Sequence, residues 1–234
     1  MSKSNLLLAV AVVIASLILG YSAVRSVDTL QSYSRTVTVK GLAEREVKAD
    51  TAIWPVQFVR AGNNLNEVYQ QLESDAAAIN AFLLERGFSA DEVSLTAPQV
   101  TDKVAQAYSS NDVGLRYSAQ QTITVYTNQV DAVREALQHV AELGKKGIAI
   151  SGDMYSSRIE YLFTGLNDIK PTMIEEATRN AREVATKFAA DSGSQVGKIR
   201  RAQQGIFSIA DRDSSTPYLK KVRVVSTVEY LLVD

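Results

Sequence analysis

The chain has 234 residues, with 25 Lys and Arg against 26 Asp and Glu, one histidine and no cysteine. That length supports one large domain or two small ones, each with a real core. The lack of cysteine excludes thiolate catalysis, Cys-ligated zinc, disulfides and an acylated lipoprotein anchor, and the balanced charge leaves no basic footprint for nucleic acid.

Leu6 to Gly20 (LLLAVAVVIASLILG) is an apolar run that, extended through Val24, contains no charge. A run of about 18 or more such residues spans the hydrocarbon core as a helix, at roughly 1.5 Å per residue. Only Lys3 and the α-amino group precede it, the order of a secretory signal. Gly20 and Ser22 fit a signal-peptidase site loosely, whereas Tyr21 and Ala23 do not, and the run exceeds the usual h-region of roughly 7–15 residues. Residues 1–25 therefore read as a retained signal anchor, meeting the lipid bilayer through residues 5–24. The expectation is a single-pass protein of a bacterial inner membrane with its body in the periplasm. Release into the periplasm by cleavage near Ser22 is the alternative.

Residues 26–34 form a polar linker, and residues 35–234 form the body. In RTVTVKG, Val37 and Val39 alternate with Thr36, Thr38 and Lys40, the period of a half-buried strand. Gly41 interrupts it as a bulge or a close backbone approach. Thr51–Arg60 reads as a second strand, pairing antiparallel with the first, and Pro55 places it at an edge or a bulge. Asn63 or Asn64 caps a helix to about Arg86, whose stripe is Leu65, Val68, Tyr69, Leu72, Ala76, Ile79 and Leu83, with Gly87 as its stop. Strands follow near Val93–Val104 and Leu115–Thr127, then a helix over 129–143 ended by Gly144.

Met154–Phe163 reads as a strand with Tyr155, Ser157, Ile159, Tyr161 and Phe163 on one face. A long helix then runs from Asn167 or Asp168 to Asp191, with Pro171 in its first turn, Ile174, Ala177, Ala181, Val184, Ala185 and Phe188 expected on its buried side, and Gly193 as its stop. Ile199–Ile209 and Lys220–Val233 close the chain as strands. The elements repeat as β-α-β-β, with a first half over about 35–128, a linking helix over 129–143 and a second half over about 150–234. Helices on one face of antiparallel-rich sheets make a two-layer α/β sandwich of the α+β class.

VTVKGLAEREVKADTAIWPVQFV resembles the opening signature of the SIMPL (DUF541) family, a V-x-G-x-G-x-x-x-x-x-P-D-x-A pattern. Gly41 matches the first glycine, Ala43 stands where the second is common, and Lys48-Ala49-Asp50 stands where proline-aspartate is common. EEATRNAREVATKFAADSGSQVGKI resembles the family's helix and turn through Ala177, Asn180, Ala181, Ala185, Ala189, Gly193, Gly197 and Ile199. GFSADEVSL is similar to its helix-to-strand turn. The resemblance covers roughly Arg35 to Asp234. It implies a periplasmic or membrane-associated envelope protein, with some members assembling into large rings and linked to envelope or oxidative stress, and it implies no catalytic residue.

His139, the lone histidine, falls off the Val133–Leu137–Val140 stripe and reads as a surface residue, which weakens any Ser-His-Asp arrangement. Asp211-Arg212-Asp213 with Ser214 and Ser215 lacks the carboxylate spacing and glycine turn of a cation loop. Asp91-Glu92 after Ser89 resembles a cap turn, Glu44 and Glu46 share an exposed strand face, and Gly144-Lys145-Lys146-Gly147 lacks phosphate-loop spacing. Trp54, Val56 and Phe58 share one strand face and read as core. Asn180, polar in mid-helix, reads as a structural bond to a neighbouring strand or loop. No catalytic, cofactor-binding or metal-binding residue is assigned. The sequence points to a non-enzymatic, membrane-anchored envelope protein that forms a homo-oligomer, with protein partners undefined and no nucleic acid. A binding module for a small apolar or envelope ligand, with Trp54 and tyrosines in a groove, is the alternative.

Overall fold

The computed structural model describes Ser16, Gly20, Tyr21 and residues 35–105, 114–151 and 158–234. It is a mixed α/β protein with antiparallel sheets. The elements are β1 (Thr36–Lys48), β2 (Thr51–Gly62), α1 (Leu65–Glu85), a 3₁₀ turn (Ala90–Glu92), β3 (Val93–Leu95), β4 (Gln99–Asp102) and β5 (Tyr117–Thr127). Then follow α2 (Val130–His139), α3 (Ala141–Lys145), β6 (Ala149–Ile150), β7 (Glu160–Leu162) and α4 (Leu166–Asp191). The chain ends in β8 (Gln195–Gln204), β9 (Ser208–Asp211) and β10 (Leu219–Val233). Among the described residues no helix is long and apolar enough to cross a membrane. Apart from Ser16, Gly20 and Tyr21, which are helical, the anchor expected over residues 5–24 lies outside the described residues.

The chain divides into two compact units built from non-consecutive stretches. The first joins residues up to Arg45 with Asp168–Ser208 and Val222–Asp234. The second joins Glu46–Asn167 with Ile209–Lys221. One sheet runs β1-β10-β8, with β9 also on β10; the other runs β3-β5-β2-β6, with β4 on β5 and β7 on β2.

This corrects the expected pairing of the first two strands, because β1 lies beside β10 and β2 beside β5. A two-residue hairpin of the favoured type needs positive φ at both turn residues. Among the described residues no non-glycine residue adopts positive φ, so Ala49-Asp50 does not fold β2 back onto β1. Instead the Ala49 amide donates to the Tyr218 carbonyl at 2.8 Å and the Asp50 amide to the Leu162 carbonyl at 2.9 Å. The β2–β5 ladder then runs in register from Ala52↔Thr127 to Gly62↔Tyr117.

Pro55 sits in the middle of this sheet, not at an edge. The Gln57 carbonyl accepts from Ser151 on the β6 side, so by period two the nitrogen of Pro55 faces that side as well. There β7 pairs with Thr51–Ile53 and β6 with Phe58 and Val59, so the proline falls in the gap between them. The ladder loses no donor.

Helix α1 begins where Asn64 accepts a bond from the Asn66 amide at 3.0 Å. It ends in a Schellman turn, with Phe88 N–H on Leu83 O, Gly87 N–H on Leu84 O, and Gly87 at φ 91°. Gly193 at φ 69° ends α4 in the same way, with Ser194 N–H on Ala189 O. The helix expected over 129–143 breaks at Val140 and resumes as α3, which contains Gly144. Its stop is Gly147, at φ 80°, because the Ile148 amide reaches back to Leu143 O.

Other boundaries also move. Helix α4 starts at Leu166, so Pro171 is in its second turn and leaves the Asn167 carbonyl without its usual helical donor. The strand expected over 154–163 is laddered only at Glu160–Leu162, and residues 152–157 lie outside the described ones. Val93–Val104 splits because Thr96–Pro98 oppose only Gln121 and Thr122, which is a bulge. Ile199–Ile209 splits at Gly205, whose amide donates to Val225 O at 2.8 Å.

The second unit holds the larger core. Trp54, Val56 and Phe58 point into it from β2, and Val68, Leu72, Ile79 and Leu83 meet them from α1. Trp54 packs edge-on to Phe88, ring centroids 6.4 Å apart. Asp75 is buried on the same helix face and is clamped by Arg60, Nε to Oδ2 at 2.5 Å and Nη2 to Oδ1 at 2.7 Å.

Candidate functional site

In the first unit the strand–helix contact is set by residue size. A Cβ on Gly41 would lie 1.8 Å from the Ala177 carbonyl oxygen and 2.4 Å from the Ala181 nitrogen. Ala177, Ala181, Ala185 and Ala189 recur every four residues and are all buried, so the backbone of α4 can settle directly on the strand. Asn180 leaves this stripe sideways and donates to the Leu42 carbonyl at 2.8 Å. The Arg35 carbonyl accepts from Leu232 N–H of β10, so odd-numbered β1 groups face β10 and the Leu42 carbonyl faces the outer edge. Helix α4 therefore overhangs the outer edge of β1.

On the opposite flank the sheet is exposed over Lys198–Gln204. Ile199, Ala202 and Gln204 of β8 stand directly opposite Tyr230, Val228 and Ser226 of β10. Residues directly opposite share a face. The β10 members are buried under α4, whereas Lys198–Gln204 of β8 are exposed throughout. The Asn180 flank of α4 carries Val184 and Phe188, expected on the buried side but exposed, Phe188 by 59%, because the helix rests on its alanine stripe and this flank reaches past the edge of β1. The unit thus presents an apolar overhang along β1 and an uncovered strip, centred on Ile199, along β8.

In the second unit an open groove of about 1110 Å³ is lined by Trp54, Pro55, Val56, Leu137, Val140, Ile150, Ile159, Tyr161, Pro217 and Tyr218, with Arg134, Arg158 and serines at its rim. Tyr161 and Tyr218 meet edge to face at 6.2 Å, and the Arg134 guanidinium lies 3.8 Å from the centre of the Tyr218 ring. Burial pushes the Tyr161 hydroxyl up, partly countered by the Arg134 charge.

The residues singled out by sequence are placed in structural roles. His139 Nδ1 lies 3.0 Å from Glu142, whose other oxygen takes Arg86 at 2.9 Å. His139 and then Arg86 hold the Glu142 carboxyl below its ordinary range. Asp213 closes its own loop, accepting from Thr216 and Ser215 amides at 2.8 and 2.9 Å. With the Thr216 hydroxyl and the Arg212 guanidinium it is held at about 2. Asp211 pairs with Lys220 and Arg158. Glu44 meets Arg223 at 3.5 Å, and Glu46 meets Arg212 at 3.6 Å. Ser89 and Glu92 form a capping box, and Glu92 also accepts from Thr127. No group of three or more His, Cys, Asp or Glu among the described residues could hold a metal ion.

Sequence reasoning missed Asp50 as an anchor. Its carboxylate accepts from the amides of Thr164 (2.8 Å) and Gly165 (2.9 Å) and from the hydroxyls of Thr164 and Thr51, each at 3.0 Å. Burial alone would raise this carboxyl, but those donors outweigh it and hold the group low. Its place in the opening signature was the available signal.

These features define a mixed α/β protein whose best-built contacts are backbone-to-backbone and whose open features are sheet edges and apolar grooves. The chain belongs to the SIMPL family, described as a protein of unknown function (DUF541), whose model matches residues 37–229. No curated protein matches it. Within that family match the signature residues acquire a physical reading: Gly41 and the alanine stripe are a closest-approach contact, and Asp50 ties down the start of the segment leading into α4.

Proposed function

We propose that this is a non-enzymatic envelope protein, anchored by residues 5–24 in a bacterial inner membrane, whose periplasmic body assembles with copies of itself. In chain order its body reads as two β-α-β-β repeats, and each of the two units layers a helix on a sheet. The observation that carries the reading is the mismatch between the flanks of α4 in the first unit. One flank has exposed apolar side chains, Val184 and Phe188, with no described sheet beneath them; on the other, Ile199 and Ala202 are exposed, with no described helix above them. Placing the β8 edge of one copy beside the β1 edge of the next satisfies both. The ladder continues between copies, and the overhang of one covers the bare strip of the other. Such a contact is heterologous, so it propagates as a ring or an open row. Lys198, Arg200 and Arg201 on β8 oppose indiscriminate edge pairing. A role in envelope stress fits a scaffold of this kind. Light scattering on the full-length protein in detergent tests it: a mass of several chains is expected, and a monomer at every concentration contradicts it.

The second-unit groove supports a second reading, a binding module for an apolar envelope ligand. Trp54 is the only tryptophan and lines this groove. Titration with a long-chain fatty acid would shift its emission saturably, and Leu137→Asp would abolish the shift. An emission spectrum that does not respond removes this reading.

A further inference from the structure

A second groove, of about 590 Å³, separates α1 from the short edge strand β3 in the second unit. Leu72, Ala76 and Ile123 contribute its apolar surface, and Tyr69 and Leu95 flank it; Leu95 is 54% exposed. The backbone beside it is unpaired in a readable way. The Thr96 amide donates to Thr122 O, directly opposite it, so 96/122 and 94/124 are the hydrogen-bonded pairs and 95/123 is not. The amide and carbonyl of Leu95 therefore point away from β5, to the outer edge, which no described strand covers. The bulge at Thr96–Pro98 ends the run, and Gln121 holds it open by donating to Thr96 O at 2.8 Å.

We propose that this groove binds an extended peptide segment of a partner protein, which adds to β3 as a further strand and seats alternate apolar side chains against α1. Main-chain bonds to a sheet edge with side-chain pockets beside it are the elements of strand addition. Among the described residues the only charged one lining the groove is Glu73, exposed on α1, so the segment carries a Lys or Arg next to its apolar residues. The site is separate from the β1 and β8 edges of the first unit, and either proposal stands without the other.

Full-length protein in detergent, panned against a phage library of short linear peptides, tests this. Enriched peptides are expected to alternate apolar residues and include a basic one. Ala77→Trp fills the groove from an exposed helix position and is expected to abolish their binding. Leu95→Pro removes the outward amide without touching the β5 ladder and is expected to weaken binding about fivefold, the factor of one lost hydrogen bond, while Leu95→Ala retains that bond. Glu73→Lys is expected to select acidic peptides instead. Circular dichroism checks the fold of each variant. No enrichment, enrichment indifferent to Ala77→Trp, or saturable binding of dodecanoate without any peptide would overturn the proposal.

Discussion

Gly41 of β1 lies directly beneath Ala177 of α4, so closely that a single methyl group on the glycine would fall 1.8 Å from the helix carbonyl. Backbone stands on both sides of this contact, so no side-chain rotation can relieve a substitution. Overfilling a packed core costs about 1–3 kcal/mol and sometimes more. Gly41→Ala is expected at or above the top of that range, read as a lower urea midpoint with an unchanged slope. Ala181→Val, one position along the stripe, is expected to behave similarly.

Asp50 gives the stability a pH dependence of known sign. Its folded carboxyl lies below the value of about 3.9 of an unfolded chain. The contribution is complete above that unfolded value and is lost as the pH falls through the folded one. Denaturant unfolding between about pH 6 and 2.5 is expected to show a shallower acid slope for Asp50→Asn than for wild type. At neutral pH that variant is expected to be less stable by about 1–2 kcal/mol, since charge-assisted bonds to two amides are weakened.

The Arg60–Asp75 pair is expected to behave as a buried ion pair. Asp75→Ala leaves a guanidinium against apolar neighbours, and loss of one partner costs roughly 3–5 kcal/mol. Because Arg60 remains partly exposed, the lower end is expected. Replacing both, Arg60→Met with Asp75→Leu, is expected to recover most of the loss. Thermal melts of the single and double variants check this.

His139 has the opposite expectation. It is surface-exposed and meets one carboxylate that Arg86 already holds. His139→Ala is expected to shift stability by no more than about 0.5 kcal/mol, measured by the same melts.

What could be read from sequence was local. Val68, Leu72, Ala76, Ile79 and Leu83 of the α1 stripe, its Asn64 cap and its Gly87 stop sit within one periodic window, although Leu65 and Tyr69 of the expected stripe are exposed; the Ser89–Glu92 cap turn likewise lies in four adjacent residues. Trp54, Val56 and Phe58 were legible as core because alternation assigns a face without knowing the partner. Asn180 was legible as a structural donor, though not its acceptor, Leu42. Strand pairing was not legible, because β1 takes its neighbour from the far end of the chain and nothing near Thr36–Lys48 records β10. Asp75 was invisible as a core residue because its burial depends on Arg60, on a different element. The bare face of β8 was equally hidden: alternation predicts which side chains share a face, not whether a helix reaches far enough to cover them.

The head-to-tail contact can be tested by complementation. Phe188→Asp spoils the overhang and leaves β8 intact; Ile199→Asp spoils the strip and leaves the overhang intact. Each variant alone is expected to be monomeric by light scattering of the full-length protein in detergent. An equimolar mixture has one good contact between unlike chains and no way to extend it, so a species of twice the chain mass is expected and nothing larger. A mixture that stays monomeric, or single variants that assemble as wild type does, would contradict the account.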